Sequence, residues 1–206
     1  MKQMQELIDE LVAEGYLATP AIIKAFREVK RRDFLPPELI DEEGFNSPLP
    51  IGHGQTNSQP LTVAYMLELL SPQEGDTVLD IGSGSGWVTA LLAHIVGPTG
   101  KVYAIERLSA LKIFGEQNVR SSGFKNVEFF CRDGAKGLPS HAPFDRIHVA
   151  AAAYEVPEQL KDQLKPGGRL VIPTAAEDIQ VFEKRTDGTF RQDSYPGFLF
   201  VPLIEE

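Results

Sequence analysis

Three glycines and two acids carry the densest chemistry in this sequence of 206 residues. Residues 77–86, TVLDIGSGSG, run apolar and then break into Gly82, Ser83, Gly84, Ser85 and Gly86. Residues 102–107, VYAIER, form a second apolar run that ends in Glu106 with Arg107 beside it. A glycine turn after a buried strand lets the polar chain of a ligand lie against the backbone. An acid at the end of the next strand can accept hydrogen bonds from both hydroxyls of a ribose. Together they describe a nucleoside-containing ligand laid across the carboxyl ends of a parallel sheet.

The glycine spacing narrows the ligand. G-S-G-S-G differs from the G-x-G-x-x-G of the dinucleotide fingerprint, in which a helix N-terminus faces a pyrophosphate. S-adenosyl-L-methionine carries no phosphate. Its methionine moiety bears an ammonium and a carboxylate and still needs close backbone approach, so glycines remain useful. Asp80, just before the turn, could hold the ammonium directly or through water. Asp133 and Gly134 close the third strand, where the adenine end falls. Asp133 could accept from the adenine amino group and Gly134 could permit a close approach, although an Asp-Gly pair alone is more simply a turn.

The elements that must hold these residues follow from periodicity. Met4, Leu7, Ile8 and Leu11 have helical spacing within residues 3–14. Thr19-Pro20 opens a second helix, AIIKAFREVKR. Residues 33–52 are proline-rich and loop-like, and Pro60 begins the helix PLTVAYMLELL over 60–70. From residue 76 strands and helices alternate: TVLDIG, WVTALLAHIVG, KVYAIE, SALKIFGEQNVRSSG, VEFFCRDG, FDRIHVAAA, EQLKDQLK and GGRLVIPT. Asp145 starts the fourth of these strands and is given no chemistry. The tail offers two more strands, IQVFEKRT and GFLFVPLI, joined through TDGTF. This pattern predicts an α/β Rossmann-like fold: a mainly parallel sheet, helices on both faces, and an antiparallel edge. One domain is expected, with residues 1–70 as a helical cap and substrate loop over a core of 71–206.

A formal net charge of −9 is a poor footprint for a polyanion, so no nucleic-acid partner is expected. The single Cys131 excludes an internal disulfide and a cysteine-based zinc cage, and no metal is expected. The amphipathic, acid-rich N-terminal segment MKQMQELIDELVAEGYL lacks the basic start and apolar core of a signal peptide, and no apolar run is long enough to span a bilayer. The default expectation is a cytoplasmic monomer.

The segment PLPIGHGQTNSQP, residues 48–60, is the second unusual stretch. It is bounded by proline and glycine, rich in small polar groups, and runs into a helix N-terminus, where backbone N–H groups can bind a carboxylate. Thr56 and Ser58 add hydroxyls. The simpler reading is that Ser58 or Asn57 is the helix N-cap. This segment, followed by VLDIGSGSGW, VYAIER, RDG, APFDRIHVAAAA and LKPGGRLVIP, resembles the protein-L-isoaspartate O-methyltransferase family in order over nearly the whole chain. The glycine motif is common to many methyltransferases; the PLPIG-GQT-SQP loop is far more specific.

The resemblance implies a methyltransferase fold that uses S-adenosyl-L-methionine. The implied reaction is methyl transfer to the free α-carboxylate of an L-isoaspartyl residue in a damaged protein or peptide. The ester then collapses through a succinimide, which partly restores aspartate. By position, the match implies that Ser58 is the active-site serine, with Thr56 and Asn57 flanking cofactor and substrate. It places Gly82, Ser83 and Gly84 against the methionine portion, Glu106 on the ribose with Arg107 beside it, and Asp133 and Gly134 near adenine. The chain departs from the family at Asn57, where a branched aliphatic is usual. It departs again at Gly44, Phe45, Asn46, Ser47 and Pro48, which replace a Tyr-x-Asp-x-Pro pattern, and its tail after VIPT lacks a glycine-rich stretch. A different carboxylate or small-molecule acceptor, or a non-catalytic cofactor-binding module, are the alternative readings.

A carboxylate is already a nucleophile near neutral pH, so the reaction needs alignment more than acid–base chemistry. Ser58 is therefore expected to orient the acceptor carboxylate. His53 is expected to be a loop residue and not a base.

Overall fold

The computed structural model describes residues 3–204; Met1 and Lys2, at the start of the first expected helix, lie outside them. The elements in chain order are α1 (Met4–Ala13), α2 (Pro20–Glu28), β1 (Leu49–Gly52), β2 (Gln55–Asn57), α3 (Pro60–Leu70), β3 (Thr77–Ile81), α4 (Trp87–Val96) and β4 (Lys101–Glu106). They continue with α5 (Ser109–Ser121), β5 (Val127–Cys131), β6 (Phe144–Val149), α6 (Glu158–Asp162), β7 (Leu164–Thr174), β8 (Asp178–Lys184) and β9 (Phe190–Pro196).

The main sheet has seven strands in the order β5-β4-β3-β6-β7-β8-β9. The first five run parallel, and β8 and β9 are antiparallel additions. Successive strands go outward from β3 to β4 and β5, then return to its other side at β6. That reversal opens a crevice at the carboxyl end of β3, the place where open α/β sheets bind ligands. β3 beyond Thr77 and the Ile147–Val149 end of β6 are buried because helices cover both faces of the sheet. One core joins α1, α2, α3 and α4 to a sheet face through Leu7, Ile8, Phe26, Leu67, Leu91 and Val102. A second core lies on the opposite face, around Leu79, Ile147, Leu160 and Leu170.

Three sequence expectations change. The second helix stops at Glu28: Val29 is already extended, and Arg31–Phe34 forms a separate 3-10 turn. Arg31 thereby leaves the helix surface and becomes fully buried. The expected loop over 33–52 also contains a 3-10 helix, Pro37–Glu42, and strand β1. In the tail, the partner of β8 is FRQDSYP and not GFLFVPLI. The polar β9 suits a solvent-facing sheet edge. GFLFVPLI is apolar for another reason: it leaves the sheet and crosses the crevice, with Val201 and Leu203 hydrogen-bonded on either side to Ala152. Phe198 stacks on Tyr65 of α3 at 5.2 Å.

Candidate active site

The glycine-rich turn is fixed by backbone bonds and by helix packing. The N–H groups of Gly82 and Ser83 both donate to Ile105 O, at 2.9 and 3.1 Å. Gly86 has φ +86°, and a Cβ there would lie 2.7 Å from Gly115 O and 2.8 Å from a Val119 methyl of α5. Gly115 in turn sits so close that its own Cβ would meet Gly84 O at 2.6 Å. Gly82 has φ +81° but meets only Ala150, at 3.5 Å. Gly86 therefore serves the fit of α5 against the turn, and Gly82 serves the sharp exit from β3.

Glu106 ends β4 with its carboxylate nearly buried. One oxygen accepts from Gly84 N at 3.0 Å and the other from Leu108 N at 2.9 Å. Each oxygen keeps a further lone pair, which suits two adjacent ribose hydroxyls. Arg107 beside it is exposed and lines the same cavity.

Asp80 and Asp133 are placed differently from the sequence expectation. Asp80 is completely buried and is not among the cavity-lining residues. Its carboxylate accepts from Thr89 Oγ1 at 2.5 Å and pairs with His148 Nδ1 at 2.8 Å. It braces β3 against α4 and β6 from beneath the turn, which favours a supporting position over direct contact with an ammonium. Asp133 also lies off the cavity wall; its Oδ1 accepts from Ala135 N at 2.8 Å, an Asp-Gly turn of the simple kind. Gly134 does line the cavity, but a Cβ there would strike Ile81 Cγ2 at 2.3 Å. Strand-side packing thus already demands that glycine.

The loop on the other side of the crevice is a β-hairpin. Leu49 pairs with Asn57 and Pro50 with Thr56. His53 (φ 52°) and Gly54 (φ 70°) form the tip, where His53 is exposed. Ser58 follows the hairpin, half-buried, and lines the cavity with Thr56 and Asn57. Neither Ser58 nor Asn57 caps α3. The N-cap is Gln59, which makes no side-chain cap bond. Asn46 Oδ1 supplies the acceptor instead, taking the Leu61 N–H at 3.1 Å. This amide does locally what a carboxylate would do at a helix N-terminus. With Pro60 lacking an N–H, Leu61 bonded to Asn46 and Val63 bonded to Gln59 O, α3 offers few open N–H groups to an acceptor carboxylate.

Arg31 organises this wall, and sequence reasoning missed it. Its Nε donates to Asn57 Oδ1 at 2.8 Å. Its Nη1 donates to Glu43 O (3.2 Å) and Phe45 O (2.8 Å), and its Nη2 to Ser47 O (2.9 Å) and Ser58 O (3.1 Å). The guanidinium also lies 5.3 Å from the centroid of Trp87. Burial pulls its pKa down to about 10 against the opposing charge of Glu43, so it stays a cation at neutral pH. Only a forked donor can hold carbonyls from so many turns of chain at once.

Hairpin, turn and C-terminal segment enclose a cavity of about 440 Å³, a size that suits a small organic ligand. Thr56, Asn57, Ser58, Gly82, Ser83, Gly84, Glu106, Arg107 and Gly134 converge on it. Leu199, Phe200, Leu203 and Ile204 add an apolar wall that the sequence had assigned to a strand. Ser83 Oγ and Trp87 Nε1, both on residues of this lining, are buried polar atoms with no partner among the described residues. Buried polar atoms without partners are rare in native proteins and point to a bound group. An apolar cleft with a buried ribose-ready carboxylate, a close-approach turn and unpaired donors fits S-adenosyl-L-methionine.

Fold and cleft together define a Rossmann-like domain of the methyltransferase kind. The family model of protein-L-isoaspartate(D-aspartate) O-methyltransferase matches residues 2–206. A protein-L-isoaspartate O-methyltransferase of Aeropyrum pernix is 46% identical, over 97% of this chain and 78% of that protein. One of Methanopyrus kandleri is 43% identical, over 98% of this chain and 91% of that protein. A crystal structure from Plasmodium falciparum, described as a putative protein-L-isoaspartate O-methyltransferase in complex with S-adenosyl-L-homocysteine, superposes with a TM-score of 0.88 at 23% identity over the full length of both chains. The chain belongs to the protein-L-isoaspartate(D-aspartate) O-methyltransferase family, whose members are enzymes that use S-adenosyl-L-methionine.

Proposed function

We propose that the chain methylates the free α-carboxylate of isoaspartyl residues in damaged proteins and peptides, with Ser58 orienting that carboxylate. The observation that carries the reading is the convergence of the hairpin's Ser58 and the Glu106-anchored turn on one cavity, within a chain that matches the family from end to end. S-adenosyl-L-methionine supplies an activated methyl on a sulfonium. The carboxylate oxygen forms the new bond to carbon as the carbon–sulfur bond breaks, and no proton has to move. What this chain contributes is alignment and exclusion of water. Ser58 holds the acceptor carboxylate, Glu106 fixes the ribose, and residues 199–204 cover the site with apolar side chains.

Gly82, Ser83 and Gly84 lie against the methionine portion in this reading, with Thr56 and Asn57 between cofactor and acceptor, Arg107 beside the ribose and Gly134 near adenine. Asp80 acts from below the turn. Asp133 shapes the loop that carries Gly134. At the family departure Asn57 the side-chain amide is engaged inward by Arg31 and Ser85. We further assign the chain to the cytoplasm as a single-domain monomer acting on peptides and not on nucleic acid. The net charge of −9 speaks against a polyanion partner. Among the described residues no helix is long and apolar enough to cross a membrane.

The test is methyl transfer from labelled S-adenosyl-L-methionine to an isoaspartyl peptide beside the same peptide with normal aspartate. Selective labelling of the isoaspartyl form is expected. Ser58→Ala should lower kcat by about 10- to 100-fold, the scale of one lost hydrogen bond to a charged group, and equal turnover would remove Ser58 from its assigned position.

A further inference from the structure

Asn57 is nearly inaccessible and reaches in two directions. Its Oδ1 accepts from Arg31 Nε at 2.8 Å, and its Nδ2 donates to Ser85 Oγ at 3.1 Å. Ser85 is the centre of Gly84-Ser85-Gly86, the second half of the glycine-rich turn, and its carbonyl is held by Asn118 of α5 at 3.0 Å. Arg31 holds the carbonyl of Ser58. A continuous line of hydrogen bonds therefore joins the cofactor turn to the residue that presents the acceptor: Ser85, Asn57, Arg31, Ser58. The side chain at position 57 must accept from a guanidinium on one side and engage a hydroxyl on the other. An aliphatic side chain there would take from Arg31 Nε and from the Ser85 hydroxyl the partner each has in Asn57. A neighbouring contact runs parallel to this line, since a Cβ on Gly84 would stand 3.2 Å from Ile51 Cδ1 of the hairpin.

We infer that Asn57 is a positioning residue that couples the two halves of the site, so that filling the cofactor turn orders the hairpin and sets Ser58 for the acceptor. A ligand against Gly82–Gly84 restrains Ser85, and Asn57 passes the restraint to the Arg31 hub and the hairpin. Coupling of this kind is reciprocal: an acceptor seated on Ser58 must tighten the cofactor by the same factor. The inference rests on the proposed function for the identity of the acceptor but not for the coupling itself.

Amide hydrogen exchange over residues 49–58 of the full chain, with and without saturating S-adenosylhomocysteine, reads the coupling without any acceptor. Saturation is verified for each variant. In the native protein the ligand is expected to slow hairpin exchange by about 10-fold or more, the scale of typical site-to-site coupling. Asn57→Leu should remove most of that slowing even where its own unliganded hairpin exchanges faster. Asn57→Asp, which can accept from both Arg31 and the Ser85 hydroxyl, should restore it. Ser85→Ala, which leaves the Arg31–Asn57 bond intact, should behave like Asn57→Leu and serves if the leucine variant does not fold. Native-like slowing in Ser85→Ala, or no ligand-dependent slowing in the native chain, would overturn the inference. In turnover, loss of coupling should raise KM for the isoaspartyl peptide several-fold more than it lowers kcat. Failure of the native chain to methylate that peptide would sink the proposed function and leave the exchange result standing.

Discussion

On the sheet side of the cleft the turn is held by backbone bonds from Gly82 and Ser83 to Ile105, and the Glu106 carboxylate is itself tied to the Gly84 and Leu108 amides. On the hairpin side the wall hangs from one side chain, Arg31, which comes from a different part of the chain and gathers the carbonyls of Phe45, Ser47 and Ser58. The sheet side is rigid because strands and a packed helix leave its backbone no alternative. The hairpin side is rigid only while a single buried cation keeps its partners. A reaction that needs two reactants in line can thus rest one of them on a fixed floor and the other on an adjustable wall.

That contrast can be broken most severely at Arg31. Arg31→Met strands several carbonyls and the Asn57 amide, and should cost about 3–5 kcal/mol of folding stability in denaturant titration. Arg31→Lys keeps the charge but not the fork, so it should recover less than half of the loss; full recovery would show that charge alone holds the wall. On the sheet side, Gly86→Ala combines a positive φ with a clash against Gly115 and should cost about 2–4 kcal/mol by the same assay. Gly82→Ala meets only an ordinary contact with Ala150 and should cost about 1–2 kcal/mol, for the backbone conformation alone. Equal losses at the two glycines would discredit the packing argument for Gly86.

Smaller effects sharpen the same comparison. Glu106→Ala should weaken S-adenosylhomocysteine binding by about 1–3 kcal/mol in calorimetry, since a charge-assisted contact is lost. Unchanged affinity would remove the ribose assignment. Asn46→Ala removes the acceptor for the Leu61 N–H and should cost about 0.5–1 kcal/mol in thermal unfolding, the usual value of a helix cap. Asn46→Asp should keep the cap, and a loss as large as alanine's would mean that the amide nitrogen matters more than its oxygen.

The sheet side was legible in the sequence because its logic is local. TVLDIGSGSG and VYAIER state strand, turn and terminal acid within a few residues of one another, and the structure brings Gly82, Gly84 and Glu106 together on one cavity. Helix α3 and strand β4 begin and end where apolar periodicity and Pro60 placed them, and β3 stops one residue short, at Ile81. The hairpin side was less legible. PLPIGHGQTNSQP was visible as unusual, but its support lies in Arg31, which sat in an apparent helix of ordinary amphipathic pattern. No local rule separates a buried arginine from an exposed one when its partners are carbonyls far along the chain. The tail misled for a related reason. GFLFVPLI has the apolar density of a core strand, and it is apolar because it covers a cleft. Asp80 and Asp133 show a third limit, since an acid near a ligand site can also bond to the protein around it, and the sequence does not show those bonds.

The way Arg31 is neutralised has a consequence for ionic strength. Surface pairs such as Arg27–Asp9 at 2.6 Å weaken as dissolved ions compete for each partner. Among the described residues Arg31 makes no contact ion pair: carbonyl dipoles, an amide and an indole face surround its buried guanidinium, and the charge of Glu43 acts on it without a direct contact pair. The wall that presents Ser58 should therefore keep its shape in molar salt, even as the charged exterior of the protein is screened.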